Sequence, residues 1–161
     1  MADLIIRDAK FGKGVFAQRK FLQGEKILEF HGKIFTFEEL PKPYESVSDH
    51  YMQISETLYM GPSGRFDDYL NHSCDPNSGI RGEGGVLFLV AIKDIALSEE
   101  IVWDYSTHLH ENFGWTMKCG CLSKNCRKVI SDFQYLPSDL QEKYIQMEIV
   151  IPFIAKKYLK K

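Results

Sequence analysis

Apolar residues in this chain come in short runs broken by glycine, proline and polar pairs, a spacing that predicts short β-strands joined by turns. Leu4-Ile5-Ile6-Arg7 is the first such run. Lys10-Phe11-Gly12-Lys13-Gly14 then reads as a glycine turn, and Val15-Phe16-Ala17 resumes the apolar pattern. Gln23-Gly24-Glu25 predicts a turn, and Lys26 to Phe30 a strand that His31-Gly32 closes. Tyr51-Met52-Gln53-Ile54 and Leu58-Tyr59-Met60 read as strand pieces ahead of a Gly61-Pro62-Ser63-Gly64 turn. Gly79 to Gly85 reads as a flexible glycine-rich segment. Val86 to Ala91 is apolar throughout, which predicts a strand buried on both faces. Ile101-Val102-Trp103 predicts one more strand.

Helical signals are few. Thr36-Phe37-Glu38-Glu39-Leu40 has the form of a capping box, with Thr36 as N-cap and Glu39 reaching back, and Pro41 and Pro43 limit the helix it would start. Residues 41–50 read as a polar loop. After residue 136 the pattern changes: Leu136-Pro137-Ser138-Asp139 predicts a helix start, and Leu140, Tyr144, Met147 and Ile151 recur at helical spacing. Pro152 interrupts that helix, and Phe153 to Tyr158 predicts a final short one. The basic end, Lys156-Lys157 and Lys160-Lys161, reads as a solvated face.

The 161 residues fit one domain, large enough to bury a core. A net charge of −2 argues against a general nucleic-acid binder. Met1-Ala2-Asp3 offers no basic start to a signal peptide, and the longest apolar stretch, Val86 to Ile92, is too short to span a bilayer. These features predict a soluble intracellular protein with no membrane partner.

One stretch fits neither strand nor helix: Asn71-His72-Ser73-Cys74-Asp75-Pro76-Asn77. Its residues favour turns and local side-chain bonds, yet it holds a thiol and an imidazole and follows the apolar, aromatic lead-in Phe66 to Leu70. Two later segments suggest a site rather than a surface turn. They are Glu100-Ile101-Val102-Trp103-Asp104-Tyr105, and Cys119-Gly120-Cys121 followed by Cys126. The four cysteines suit one tetrahedral zinc site or two disulfides, and without a secretion signal zinc is the expectation. His108 and His110 could form a metal-binding pair or belong to a solvated loop over residues 106–116. No Ser/His/Asp triad or paired-carboxylate site is evident.

These segments, in this order, resemble the SET-domain protein lysine methyltransferases that carry a cysteine-rich post-SET segment. The resemblance rests on Gly12-Lys13-Gly14, on the complete stretch 71–77, on the acidic-aliphatic-x-x-Asp-Tyr stretch 100–105, and on Cys-x-Cys-x4-Cys at 119–126. It covers residues about 4 to 129 and looks most like the compact bacterial or viral members. It implies a mainly β fold, a SET fold of short strands with pseudoknot-like C-terminal threading, plus C-terminal helices. By the same resemblance, 4–106 is the SET domain, 107–129 the post-SET zinc segment and 130–161 a helical extension packed on the domain.

The resemblance also implies roles. S-adenosylmethionine is the methyl donor, held by Lys13, Gly14, Val15, Asn71, His72 and Tyr105, with Lys13 and Val15 offering mainly main-chain groups. Tyr105 is the catalytic residue, its hydroxyl orienting the incoming amine, while Asp104 is structural. Phe30, Tyr51 and Trp103 line the lysine channel. Post-SET segments close on the signature-loop cysteine, so the implied structural Zn²⁺ takes Cys74, Cys119, Cys121 and Cys126. The implied partner is a protein or peptide bearing a lysine, such as a histone or a basic chromosomal protein, and no direct nucleic acid is expected. The chain departs from its relatives twice: many place Tyr where Phe30 stands, and most have Phe or Tyr at Trp103, a position that tunes how many methyl groups fit. Those departures keep two rivals in view, a non-catalytic lysine-peptide binding module and a purely structural zinc protein.

Overall fold

A computed structural model describes residues 3–42, 50–111 and 114–159. The strands, in chain order, are β1 (Leu4–Asp8), β2 (Lys13–Ala17), β3 (Lys26–Glu29), β4 (Ile34–Thr36), β5 (Met52–Gln53), β6 (Leu58–Met60), β7 (Asn71–His72), β8 (Ser78–Glu83), β9 (Val86–Ala91), β10 (Val102–Trp103), β11 (Met117–Lys118) and β12 (Val129–Ile130). Two helices close the chain, α1 (Ser138–Gln146) and α2 (Pro152–Tyr158).

Because turns interrupt every apolar run, the described strands pair into small sheets rather than one large one. β1 and β2 form an antiparallel hairpin, with Gly12 at φ +66° in its turn, where only glycine is free of Cβ strain. β3, β9 and β8 form one antiparallel sheet, and β4, β6 and β5 another. One continuous core joins Leu4 of β1, Leu89 of β9, Trp103 of β10 and Ile154 of α2, so the helices pack on the same apolar interior as the strands. Each fully buried side chain of this kind contributes roughly 2 kcal/mol.

The glycine-rich segment 79–85 is not a flexible linker. Gly79 and Gly82 lie within β8, paired with Val90 and Leu87 of β9. A Cβ on Gly79 would come within 2.5 Å of Ile149 Cβ, and one on Gly82 within 2.5 Å of Pro152 Cγ. These glycines are bare so that the C-terminal segment can lie directly on the strand. β9 is buried only at its second half, since Val86 is 43% exposed at the hairpin end.

Over the described residues 36–42, no helix follows Thr36. Glu39 Oε2 does accept from the Thr36 N–H at 2.8 Å, as a capping box requires, but the chain makes only a turn. Proline at 41 has no N–H to continue the ladder. Pro43 and most of the loop expected at 41–50 lie outside the described residues, as do Lys160 and Lys161. The helical spacing expected through Ile151 stops early: α1 ends at Gln146, Glu148 takes φ +55°, and Pro152 opens α2 at its first turn.

Candidate active site

The residues singled out from the sequence meet where segment 98–105 threads the fold. It first lies along β2, with Ser98 and Ala17, Glu99 and Ala17, and Ile101 and Val15 joined through their main chains. It then runs as β10 parallel to β7, with Val102 opposite Asn71 and Trp103 opposite His72. Ser73 and Asn77 donate their N–H groups back to Trp103 and Val102. The polar turn 71–77 is thus the wall against which the second motif is laid.

Asn77 fastens this crossing. It is buried, its Nδ2 donates to Glu99 Oε1 and the Glu100 carbonyl, and its Oδ1 accepts from Val102 N–H. The sequence reading placed Asn77 in the motif but gave it no role. Asn71 ties the same crossing to the glycine turn: its Nδ2 donates to the Lys13 carbonyl at 3.0 Å and to Glu100 Oε1 at 2.7 Å. A Cβ on Gly14 would lie 2.5 Å from Glu100 Oε1, so glycine there makes the approach possible. Val15 is fully buried and its carbonyl is committed to Ile101 N–H, while the Lys13 side chain turns to Asp8 at 2.6 Å.

Tyr105 stands at the end of the threaded segment. Its hydroxyl donates to the Leu70 carbonyl at 2.6 Å, and its N–H donates to His72 Nδ1 at 3.2 Å. The second bond leaves the His72 proton on Nε2, which faces Cys74 Sγ at 3.3 Å. Burial pulls the imidazole down to about 4 despite Asp104, so it is neutral at pH 7. The His72 side chain is therefore engaged inward.

An aromatic cavity of about 330 Å³ opens beside this phenol. Phe30, Tyr51, Met52, Met60, Trp103, Tyr105 and His108 are among its walls, which brings together all three residues expected in the channel. Trp103 is the centre: its ring lies 5.5 Å from Phe30, 5.5 Å from Tyr105, and stacks on His108 at 5.1 Å. His108 and His110 are both buried, so 106–110 is not a solvated loop, whereas Glu111 is exposed, and neither histidine joins a metal-ligand group among the described residues. Burial pulls the His108 imidazole down to about 3. Asn112 and Phe113 lie outside the described residues. From the sequence His108 reads only as a metal-binding or loop residue, because nothing local indicates that a histidine will stack on a tryptophan.

The four cysteines converge. Their sulfur atoms all lie within 4.8 Å of one another, and Cys74 Sγ is 3.7 Å from Cys119 Sγ. Tetrahedral zinc with bonds of about 2.3 Å places its sulfurs about 3.8 Å apart, whereas a disulfide needs about 2 Å. All four thiols are free. The donor set thus fits a structural zinc. The segment also rests on the glycine turn, where Lys10 Nζ donates to the Gly120 carbonyl at 2.8 Å and a Cβ on Gly120 would strike the Phe11 ring.

Asp104, 1% exposed, holds the site from behind. Arg127 grips it with two bonds of 2.7 Å, and Tyr144 of α1 donates to it at 3.1 Å. Burial works against the Arg127 charge, but the hydrogen bonds and attraction of Asp104 outweigh it and raise its pKa.

The profile of the SET domain matches residues 12–106. The chain belongs to the SET domain family. It is 32% identical over 140 residues to a variant-silencing SET domain-containing protein of Plasmodium falciparum, covering 76% of this chain and 5% of that protein. It is 29% identical over 137 residues to histone-lysine N-methyltransferase Set2 of Drosophila melanogaster, covering 76% of this chain and 6% of that protein. The chain therefore spans a small part of the length of these relatives. Among solved structures, KRYPTONITE in complex with mCHH DNA, an H3(1-15) peptide and SAH superposes with a TM-score of 0.63 at 21% identity, over 81% of this chain and 30% of that one. That likeness establishes the mainly β SET fold. Among the described residues, no helix is long and apolar enough to cross a membrane.

Proposed function

We propose that this chain transfers a methyl group from S-adenosylmethionine to the side-chain amine of a lysine in a protein. The observation that carries the reading is the position of Tyr105, joined to the motif loop through both its hydroxyl and its N–H while its ring forms a wall of the aromatic cavity. We assign 4–106 to the SET domain, 107–129 to the zinc segment and 130–161 to the helical extension.

The chemistry is an in-line displacement, in which positioning supplies much of the rate. The amine lone pair forms the N–C bond as the S–C pair returns to sulfur, and the new ammonium sheds its proton to water. The amine must first be neutral, which at pH 7 costs about 4.6 kcal/mol for a lysine of pKa about 10.4. Walls of Phe30, Trp103 and Met60 disfavour the ammonium and reduce that cost. The Tyr105 hydroxyl spends its proton on Leu70, so its oxygen would meet an amine N–H as an acceptor and aim the lone pair. Asn71, Gly14 and the main chain of His72 would bound the donor. The four cysteines would hold zinc, which supplies structure rather than chemistry.

The relatives named as histone-lysine methyltransferases, and the neighbour holding an H3 peptide, support a histone or similarly basic protein as substrate. The test is incubation of the purified chain with methyl-labelled S-adenosylmethionine and histones or a basic proteome fraction. Label on a lysine Nζ is the expected result; cofactor binding without labelled product would leave only the binding-module reading.

A further inference from the structure

We infer that Arg127 is a positioning residue for methyl transfer, coupling closure of the cysteine segment to the placement of Tyr105. Arg127 follows Cys126, and its main-chain N–H donates to Cys74 Sγ at 3.4 Å. Its guanidinium reaches the other way, with Nη1 and Nη2 each 2.7 Å from an Asp104 oxygen and Nη2 3.2 Å from Ser106 Oγ. Asp104 and Ser106 are the residues on either side of Tyr105. The same residue therefore touches a metal ligand with its backbone and brackets the phenol with its side chain.

The contacts close into a ring. Cys74 meets His72, His72 accepts from the Tyr105 N–H, and Asp104 beside it is held by Arg127, which returns to Cys74. Planar two-point contact fixes orientation as well as distance, which a single charge does not. Asp104 has little alternative, since it is 1% exposed and an unpaired carboxylate there would be strongly unfavourable. Tyr144 adds a 3.1 Å bond from α1, but Arg127 brings a compensating charge and, through its main chain, contact with Cys74. Seating the cysteine segment thus inserts Arg127 and sets the main chain on both sides of the phenol in one event.

The inference rests on the methyl-transfer reading, so its test includes a signal that needs no turnover. Arg127→Lys keeps a positive charge but loses the fork, and Arg127→Met removes both. Each is prepared with zinc, alongside wild type carrying ¹³Cζ-labelled tyrosine, with the Tyr105 resonance assigned by its loss in Tyr105→Phe. The phenol lies edge-on to His72 and Trp103, so its shift reports its position. Arg127→Lys is expected to retain zinc and a native fold, to move or broaden the Tyr105 resonance, and to lower kcat by about 10- to 100-fold with little change in the peptide KM. Arg127→Met should do the same if folded. A folded, zinc-loaded Arg127→Lys with a wild-type Tyr105 resonance and wild-type kcat would overturn the inference. Should wild type transfer no methyl while the resonance still moves in Arg127→Lys, the methyl-transfer reading fails and the positioning link stands.

Discussion

Asn77 and Val102 are bonded in both directions: the Val102 N–H donates to Asn77 Oδ1 at 2.9 Å, and the Asn77 N–H donates to the Val102 carbonyl at 3.2 Å. Asn77 also spans to Glu99 and Glu100, so one buried amide satisfies three places on the threaded segment. Asn77→Ala would strand the Val102 N–H and the Glu100 carbonyl away from water. The expected loss is about 2–4 kcal/mol. Urea denaturation checks it; a variant within about 0.5 kcal/mol of wild type would mean the crossing is held elsewhere.

Tyr105→Phe removes one hydroxyl bonded to the Leu70 carbonyl. Loss of that bond should lower stability by about 1 kcal/mol. Methyl transfer should fall by about 100-fold or more, since on the proposed reading the lost group orients the reacting amine. Zinc content should be unchanged. Initial rates with labelled cofactor, set beside a melting curve, separate the two effects.

Chelation should act on stability and activity together. The cysteine segment rests on Phe11 and inserts Arg127 beside Tyr105, so freeing it from Cys74 loosens both the glycine turn and the phenol. Metal analysis under reducing conditions should find one zinc per chain, and a strong chelator should lower the melting temperature and abolish transfer. Purified, reduced and active protein without zinc would refute the site.

Gly79→Ala tests the packing of the C-terminal segment. The added methyl would overlap Ile149, whose Cβ and Cγ2 would stand 2.5 and 2.6 Å from it. Because Ile149 is itself buried, little room exists for retreat, and a loss of about 1–3 kcal/mol is expected. Early proteolysis within 147–159 would show that the segment has lifted. The same substitution at Gly84, in the open hairpin turn at φ +58°, meets no neighbour and should cost only backbone strain of about 1–2 kcal/mol, without that proteolysis.

His108 predicts an acid-sensitive fold. Its imidazole titrates near 3 in the folded protein, chiefly through burial, against about 6.5 when unfolded. The unfolded chain therefore binds the proton first, and stability should fall as the pH drops below about 6.5, continuing toward 3. His108→Phe keeps a flat ring against Trp103 and should lessen the slope of the stability profile between about pH 7 and 5, above the ordinary carboxylate range, leaving the part that His72, pulled down to about 4, contributes. Equal slopes in wild type and variant would exclude His108 as the source.

Much of this protein was readable from local pattern. The runs at 4–7, 15–17, 58–60 and 86–91 are strands because alternating or continuous apolar residues between turn formers have few other stable conformations. The order of the motifs at 12–14, 71–77, 100–105 and 119–126 was enough to indicate the SET family and its cysteine cluster. Local pattern failed where a distant surface decided the outcome. Gly79 and Gly82 look like a linker until Ile149 and Pro152 lie across them, and His108 looks solvated until Trp103 covers it.

By itself, then, the sequence determined the β-rich architecture, the family and the chemical types gathered at the site, because these follow from residue spacing along one stretch of chain. Tertiary structure alone decided that Asn77 fastens the threaded segment, that His72 turns inward, and that Arg127 joins a cysteine to the flanks of Tyr105. Each of those contacts unites residues more than 20 positions apart. Their partners are chosen by burial and by the need to satisfy every polar group removed from water, and neither is written in a residue's immediate neighbours.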